Sequence, residues 1–393
     1  SWRRSRPAPQ CAASRGSAGR TSRSARRFTE KRHTVVPGTT VAKSLVILND
    51  SRRSRACAYR WELGAGAGAG EGRVEVPAGG RVFVPIAVPV PAGAAAGELV
   101  LAAQFDFGAG EVQRDEFPFA VLPAADPAVV RGTIWLLDPQ GTTGAWLDRL
   151  GVSHKACSAG GGEVRPGDVV VVGEGALSAP DLASAALPVL GRAVEGVRVL
   201  VLAQDAEVLS GRLGFRVNVH GLRQVYRRTP DHPVLAGLAD GCFADWAGSG
   251  NTVAPYLDVP AIEESDPRWL WCGFRNTRVW RCGTLGTVAP VLIEKPSRGD
   301  WLPLLDGGFD LQYAALLETS VGAGRIVFCQ LDAVRRSEPE PVAERLVRRL
   351  LAYLAQAPAA KTRTVLYRGD DRGAAWLKAL GVSFGPCPDV LPA

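Results

Sequence analysis

The phrase Trp-Leu-x-x-Leu-Gly-Val-Ser occurs twice in this chain, at Trp146–Ser153 and Trp376–Ser383. Each copy follows a short apolar run, Thr133-Ile134-Trp135-Leu136-Leu137-Asp138 before the first and Thr364-Val365-Leu366-Tyr367 before the second. The repeated unit reads strand, turn, helix, strand. The offset between copies is 231 residues from Thr133 to Thr364 and 230 from Trp146 to Trp376, a shift of only one residue, which marks a real internal duplication. The second copy ends ten residues before the last residue. The sequence therefore predicts that a second domain has only begun, leaving Val365, Leu366, Trp376 and Leu380 exposed where a whole domain would bury them.

Composition agrees with an excised piece. The chain starts with Ser and contains no Met in 393 residues, and its length suits two domains with sizeable cores. Its net charge of +7 invites a nucleic-acid reading, but residues 1–27 hold eight Arg and no acid. The remainder carries 38 basic against 39 acidic residues, so the basicity belongs to a tail and no nucleic-acid partner is expected. That tail, rich in Arg, Ser, Ala and Gly without an apolar period, is predicted to be disordered. No apolar stretch is long enough for a membrane span, and the compartment is not legible.

The eight cysteines show no CxxC framework and read mainly as buried thiols; Cys272 and Cys282, each beside Gly, are the one candidate bridge. The four His residues are scattered singly, so no metal site or cofactor is expected.

Residues 28–123 change to short alternating segments: Val41–Leu48, Ala56–Leu63, Arg81–Val88, Glu98–Phe105 and Glu116–Leu122, each bounded by turn signals. About seven short strands without helical period predict an immunoglobulin-like β-sandwich with Trp61 as its core aromatic. Gly64–Gly72 reads as a flexible hairpin loop. After a linker at 124–130, Val169–Val172 and Val197–Ala203 are near-continuous apolar runs, as in strands covered on both faces. Helices are expected over Ala179–Glu195 and from about Glu340 to Gln356. The latter has Pro341 in its first turn and an apolar stripe of Val342, Leu346, Leu350 and Leu354. Alternating strands and helices predict a doubly wound α/β domain over 131–358, with 359–393 a linker and the start of a second.

In such a sheet the ligand crevice lies beyond the carboxyl ends of the strands, where Asp138, Glu174, Gln204, Asp205, Gln330 and Asp332 collect. They serve either as acid–base groups or as hydrogen-bond acceptors for turns and helix starts. His232, in Asp231-His232-Pro233, is expected in the same crevice and is the lone base candidate. No tight turn carries Cys or Ser between glycines, and Cys329 lies in an apolar strand where a thiol is inert, so no catalytic nucleophile is assigned. The stretch from Gly241 to Pro303 reads as irregular and aromatic. Within it Trp269, Trp271 and Trp280 either pack an insertion, stack on sugar or meet another domain.

Several motifs together carry a family resemblance: Phe28-Thr-Glu-Lys31, Pro37-Gly38 and Val46–Arg52, then Asp138-Pro-x-Gly141, Val201–Gln204, Asp231–Leu238, Gly308–Tyr313 and Phe328–Asp332. Over about 28–393 the chain resembles the C-terminal region of large bacterial proteins related to glycoside hydrolase family 2. There a catalytic (β/α)₈ barrel is followed by an immunoglobulin-like sandwich and class I glutamine-amidotransferase-like domains. The resemblance implies a β-galactosidase-like parent in carbohydrate metabolism whose catalytic carboxylates lie in the barrel. It also implies that this region is a noncatalytic accessory or assembly module. Its expected partners are other domains of the same polypeptide, with glycan or a second copy as further candidates. An independent α/β hydrolase or amidotransferase-like enzyme and a carbohydrate-binding module are the competing readings.

Overall fold

The computed structural model describes residues 34–64, 66, 68–123, 132–158, 160–179, 186–219, 221–249, 270–271, 274–275, 285–334, 336, 340–356 and 365–388. The chain divides into two compact units, residues 1–121 and 122–393. The basic tail at 1–27, the linker at 124–130, and Cys272 and Cys282 lie outside the described residues.

The first unit is a β-rich, sandwich-type domain. Its strands are β1 (Thr34–Val35), β2 (Thr40–Asn49), β3 (Arg55–Leu63), β4 (Gly68–Val76), β5 (Gly80–Pro89), β6 (Gly97–Asp106) and β7 (Val112–Val121). One sheet runs β1-β7-β6-β3-β4 and the other pairs β2 with β5. Alternate residues of β2 (Val41, Lys43, Leu45, Ile47, Asn49) are buried, as a half-covered strand requires. Trp61 does face the core, with Val41, Leu45, Val88 and Phe119.

The expectation for Gly64–Gly72 is corrected: Gly68 onward is strand β4, paired with β3 through Tyr59↔Gly72, Trp61↔Gly70 and Leu63↔Gly68. The glycines are needed for space. A Cβ on Gly70 would lie 2.7 Å from Trp61 Nε1, and one on Gly72 would meet the Tyr59 ring. The glycines thus form part of the seat for the rings, and a turn-rich composition concealed a strand.

The second unit is built on a mixed sheet. Strands β8 (Ile134–Leu137), β9 (Lys155–Ala156), β10 (Val169–Val172) and β11 (Arg198–Val201) precede two short segments, β12 (Val217–Asn218) and β13 (Tyr226–Arg227). Two small pairs follow, β14 (Trp246–Ser249) with β17 (Leu285–Gly286) and β15 (Leu270–Trp271) with β16 (Phe274–Arg275). Next come β18 (Leu292–Glu294), β19 (Trp301–Gly307), β20 (Tyr313–Val321) and β21 (Gly324–Cys329). The sheet order is β12-β18-β20-β21-β11-β10-β8-β9, with β19 also on β20. Strands β9, β8, β10, β11 and β21 are mutually parallel, while β20 runs antiparallel to β21 and β18 antiparallel to β20. The expectation of an irregular Gly241–Pro303 is therefore also corrected, since β18 and the start of β19 lie inside it.

Helices are α1 (Thr142–Arg149), α2 (Ala186–Gly191), α3 (Ala206–Gly211) and α4 (Pro341–Gln356). Of the helix expected over Ala179–Glu195, residues 180–185 lie outside the described residues, Ala186–Gly191 is α2, and Arg192–Glu195 is a 3₁₀ turn. Helix α4 starts at Pro341, buries Val342, Leu346, Leu350 and Leu354, and packs on β10 and β11. Val170, Val172, Val199, Val201 and Phe328 form a core with Val189, Ala193 and Leu209.

The backbone hydrogen bonds of the strand pair and of the helix end recur in both copies of the repeat. The second copy is β22 (Val365–Tyr367), α5 (Asp371–Ala379) and β23 (Phe384–Pro386). In the first copy β8 and β9 pair in parallel and Cys157 N–H donates to Leu136 O; in the second β22 and β23 do so and Cys387 N–H donates to Tyr367 O. Both helices end identically. Gly151 (φ 67°) and Gly381 (φ 74°) adopt the left-handed conformation, Val152 N–H reaches Leu147 O, and Val382 N–H reaches Leu377 O, each at 3.0 Å. The copies differ at the helix start, where Asp370 Oδ1 accepts from Gly373 N–H but Gly141 supplies no side chain, and they differ in cover. Trp146 and Leu150 are 1% and 8% exposed, Trp376 and Leu380 64% and 58%, with Val365 and Leu366 also exposed. Leaving a Leu in water forgoes roughly 2 kcal/mol of burial.

Candidate functional site

Because β8, β10, β11 and β21 are parallel and in register, their carboxyl ends form one row: Leu137, Val172, Val201 and Phe328 are linked pair by pair. The polar residues following them accordingly meet. Asp138 Oδ2 accepts from Gly144 N–H at 2.8 Å, so this carboxylate caps the first turn of α1. Thr143 Oγ1 accepts from Glu174 N–H at 3.0 Å, tying the β10 loop to the same turn. Gly173 fits between them only as glycine, since a Cβ would lie 2.9 Å from Thr143 Oγ1 and 3.0 Å from Asp138 Oδ1.

Gln204 is fully buried and uses both ends of its amide. Its Nε2 donates to Gly173 O and Leu202 O at 2.7 Å each, and its Oε1 accepts from Leu177 N–H at 2.9 Å. Its own N–H donates to Gln330 Oε1 at 3.1 Å. Asp332, buried completely, accepts from Arg336 Nη2 at 2.8 Å, and Arg336 is itself 1% exposed. Asp205 lies at the exposed rim and accepts from Ser178 Oγ at 2.5 Å. Low-dielectric surroundings make the buried bonds of Gln204, Gln330 and Asp332 costly to break and suit them to fixing the loops. Two polar atoms of the row, Asp138 Oδ1 and Gln330 Nε2, have no hydrogen-bond partner among the described residues.

His232 does not belong to this row. It is 3.7 Å from Glu318 Oε2, from the middle of β20, and its ring meets Tyr353 of α4 edge-on at 4.7 Å. Arg325 completes the group, 3.4 Å from Glu318 Oε1 and hydrogen-bonded to the Tyr353 hydroxyl, which donates to Glu318 Oε1 at 3.2 Å. Burial, reinforced by the Arg325 guanidinium, pushes His232 below the ordinary imidazole value. Burial pushes Glu318 up, against the opposing pull of Arg325 and Tyr353. The carboxylate, guanidinium and phenol were not singled out in the sequence; Glu318 inside the apolar run Ala314–Val321 was the available signal.

The direction of these shifts gives a pH prediction. A histidine with a depressed folded pKa contributes stability above its unfolded value, about 6.5, and that contribution is lost as pH falls toward the folded value. Glu318, with a raised pKa, contributes in the opposite sense: its stability is present below its unfolded value and lost as pH rises through the folded one. The advantage of wild type over His232→Gln should therefore shrink between pH 7.5 and pH 5, about one to two units either side of that value, in urea unfolding curves. A difference independent of pH would refute the assignment.

No activated nucleophile lies in the row. Cys329, at the end of β21, is fully buried and its thiol is pushed up to about 12 by burial. Among the described residues no group of three His, Cys, Asp or Glu side chains could hold a metal ion, and no helix is long and apolar enough to cross a membrane. Trp269 and Trp280 lie outside the described residues; Trp271 stands in β15, opposite Phe274. Other rings of that region pack inward: Trp246 is fully buried and donates to Cys242 O at 2.9 Å, and Trp301 meets Phe215 with centroids 5.7 Å apart.

No family model matches this chain, and no curated protein matches it. Among solved structures it is similar to Spo0M, a sporulation control protein from Bacillus subtilis, at 12% identity over 25% of this chain and 48% of that one, with a TM-score of 0.20. It is also similar to SSP-19, an MSP-domain-like family member in Caenorhabditis elegans, at 14% identity over 23% of this chain and 92% of that one, with a TM-score of 0.15. The chain thus spans about half the length of Spo0M. Likenesses this weak carry no argument about fold or function.

Proposed function

We propose that this chain is a noncatalytic accessory and assembly region of a β-galactosidase-like glycoside hydrolase related to family 2. Its first unit is an immunoglobulin-like sandwich, its second a doubly wound, class I glutamine-amidotransferase-like α/β domain, and residues 359–393 open a sibling of that domain. The observation that carries this reading is the use made of the strand-end row. Asp138 caps a helix, Gln204 and Gln330 lock three loops together, and Asp332 neutralises a buried Arg336. The bonds these residues make serve architecture, and a fold of this kind carries no chemistry without a nucleophile or paired acid and base. The motif resemblance supplies the parent, in which catalysis belongs to the barrel.

The test is turnover by the purified chain. Aryl glycosides and glutamine should be hydrolysed no faster than in buffer, and Asp138→Asn should change stability alone. Saturable hydrolysis that Asp138→Asn abolishes would overturn the proposal in favour of an independent enzyme.

A further inference from the structure

The five-stranded sheet of the sandwich ends on two unlike edges. In the order β1-β7-β6-β3-β4, β1 has two residues and β4 has nine, and β4 pairs with β3 alone among the described residues. An edge this long is commonly blunted by proline or a bulge. β4 has neither: its register with β3 runs unbroken from Arg55↔Val76 to Leu63↔Gly68. Its outward side chains Ala69, Glu71, Arg73 and Glu75 are exposed, so its free backbone N–H and C=O groups are open to another strand.

The charges of this edge decide which strand fits. Nine residues have a central one, Gly72, so a second β4 laid antiparallel about it matches all nine positions and keeps inward residues opposite inward ones. Glu71 then faces Arg73 of the other copy, twice by symmetry, and Glu75, which accepts from the Ser54 hydroxyl at 2.6 Å, faces Ala69. Centring the pair on Glu71 or on Arg73 would instead set that charge against itself. The neighbours on β3 are Ala56, Ala58, Arg60 and Glu62, beside Glu75, Arg73, Glu71 and Ala69 in turn. Glu62 is thus two strand spacings, about 10 Å, from the incoming Glu75, where exposed charges are screened.

The inner side of the edge is prepared as well. Gly70 and Gly72 leave room for the rings of Trp61 and Tyr59, which reach across to β4. About the Gly72 axis Val74 of one copy faces Gly70 of the other, beside the Trp61 ring. The remaining long strands suit self-pairing less. β5 carries Pro85 and Pro89, and β2 has ten residues, so its full overlap with itself would set the buried Leu45 against Ser44 of the outward set.

The geometry points to a two-fold homodimer in which β4 pairs antiparallel with β4 of a second copy about Gly72, joining the two five-stranded sheets. This rests on the assembly role proposed above and names the strand that performs it.

Sedimentation equilibrium of the full 393-residue chain from low to high micromolar concentration tests it. The mass should approach that of two copies. Arg73→Glu, which turns both central pairs into like-charge contacts, should weaken association about tenfold. Arg73→Glu combined with Glu71→Arg restores opposite charges in both pairs and should recover it. These side chains are exposed, so circular dichroism and thermal melts should match wild type. Arg114→Glu, at an exposed Arg of β7, should leave association intact. A monomer throughout, association indifferent to Arg73→Glu, no recovery in the double variant, equal loss with Arg114→Glu, or a mass that climbs past two copies would each overturn the dimer. An inactive monomer removes the dimer and leaves the accessory role; an active chain removes the accessory role whatever its mass.

Discussion

Asp332→Ala should destabilise the second unit by about 3–5 kcal/mol, the cost of removing one partner from a buried ion pair. Asp332 is completely buried, Arg336 is 1% exposed, and their contact is a 2.8 Å charge-assisted hydrogen bond. The guanidinium would remain in the protein interior, near Trp246 O at 3.4 Å, with the Asp332 contact removed. That is a large part of the total stability of a domain of this size. Replacing both residues, as Asp332→Leu with Arg336→Met, should recover most of the loss, because two apolar side chains leave no charge to solvate. Denaturant unfolding of the single and double variants checks both statements. A single-variant cost below about 1 kcal/mol, the scale of an exposed pair, would show that Asp332 is not a structural carboxylate.

Gly324→Ala should cost about 3 kcal/mol, at the upper end of the range for overpacking. Gly324 opens β21 directly against the turn that closes α2. A Cβ there would lie 2.2 Å from Val197 O and 2.3 Å from Ala193 O. Both obstacles are backbone atoms in a paired segment, where Ala323 N–H donates to Val194 O at 3.2 Å and Arg325 N–H to Val197 O at 3.4 Å. No rotamer change relieves such a clash, so the hairpin or the turn must shift. Gly211→Ala, at the end of α3 with nothing within 4 Å of its Cβ position, is the control and should be neutral or slightly stabilising. Thermal melts of the two variants separate steric necessity from the general effect of replacing glycine.

The parts of this architecture legible in the sequence are those where side-chain period and burial coincide. Val169–Val172 is buried at every position because both faces of its sheet are covered, and four valines in a row announce that. The α4 stripe and its Pro341 start were equally plain. Strand β4 was missed because its inward positions are glycines, chosen for the rings of Tyr59 and Trp61 that occupy the space, and composition alone presents such a strand as a loop. The carboxyl-end row was legible as a row, since parallel strands must end together. Its roles were not, because an Asp that caps a helix and an Asp that moves a proton occupy the same place in a sequence. His232 was misplaced for a related reason: its partners Glu318, Arg325 and Tyr353 are 86 to 121 residues away and meet it only across the folded sheet.

The account turns on one contrast, between two copies of a βα unit that share their backbone hydrogen bonds and differ in cover. Hydroxyl-radical footprinting with mass spectrometry reads Trp146 and Trp376 in the same sample. In dilute solution Trp376 should be oxidised far faster than Trp146. Equal protection of the two tryptophans in dilute solution would place the second copy inside the core of its own unit and contradict the duplication.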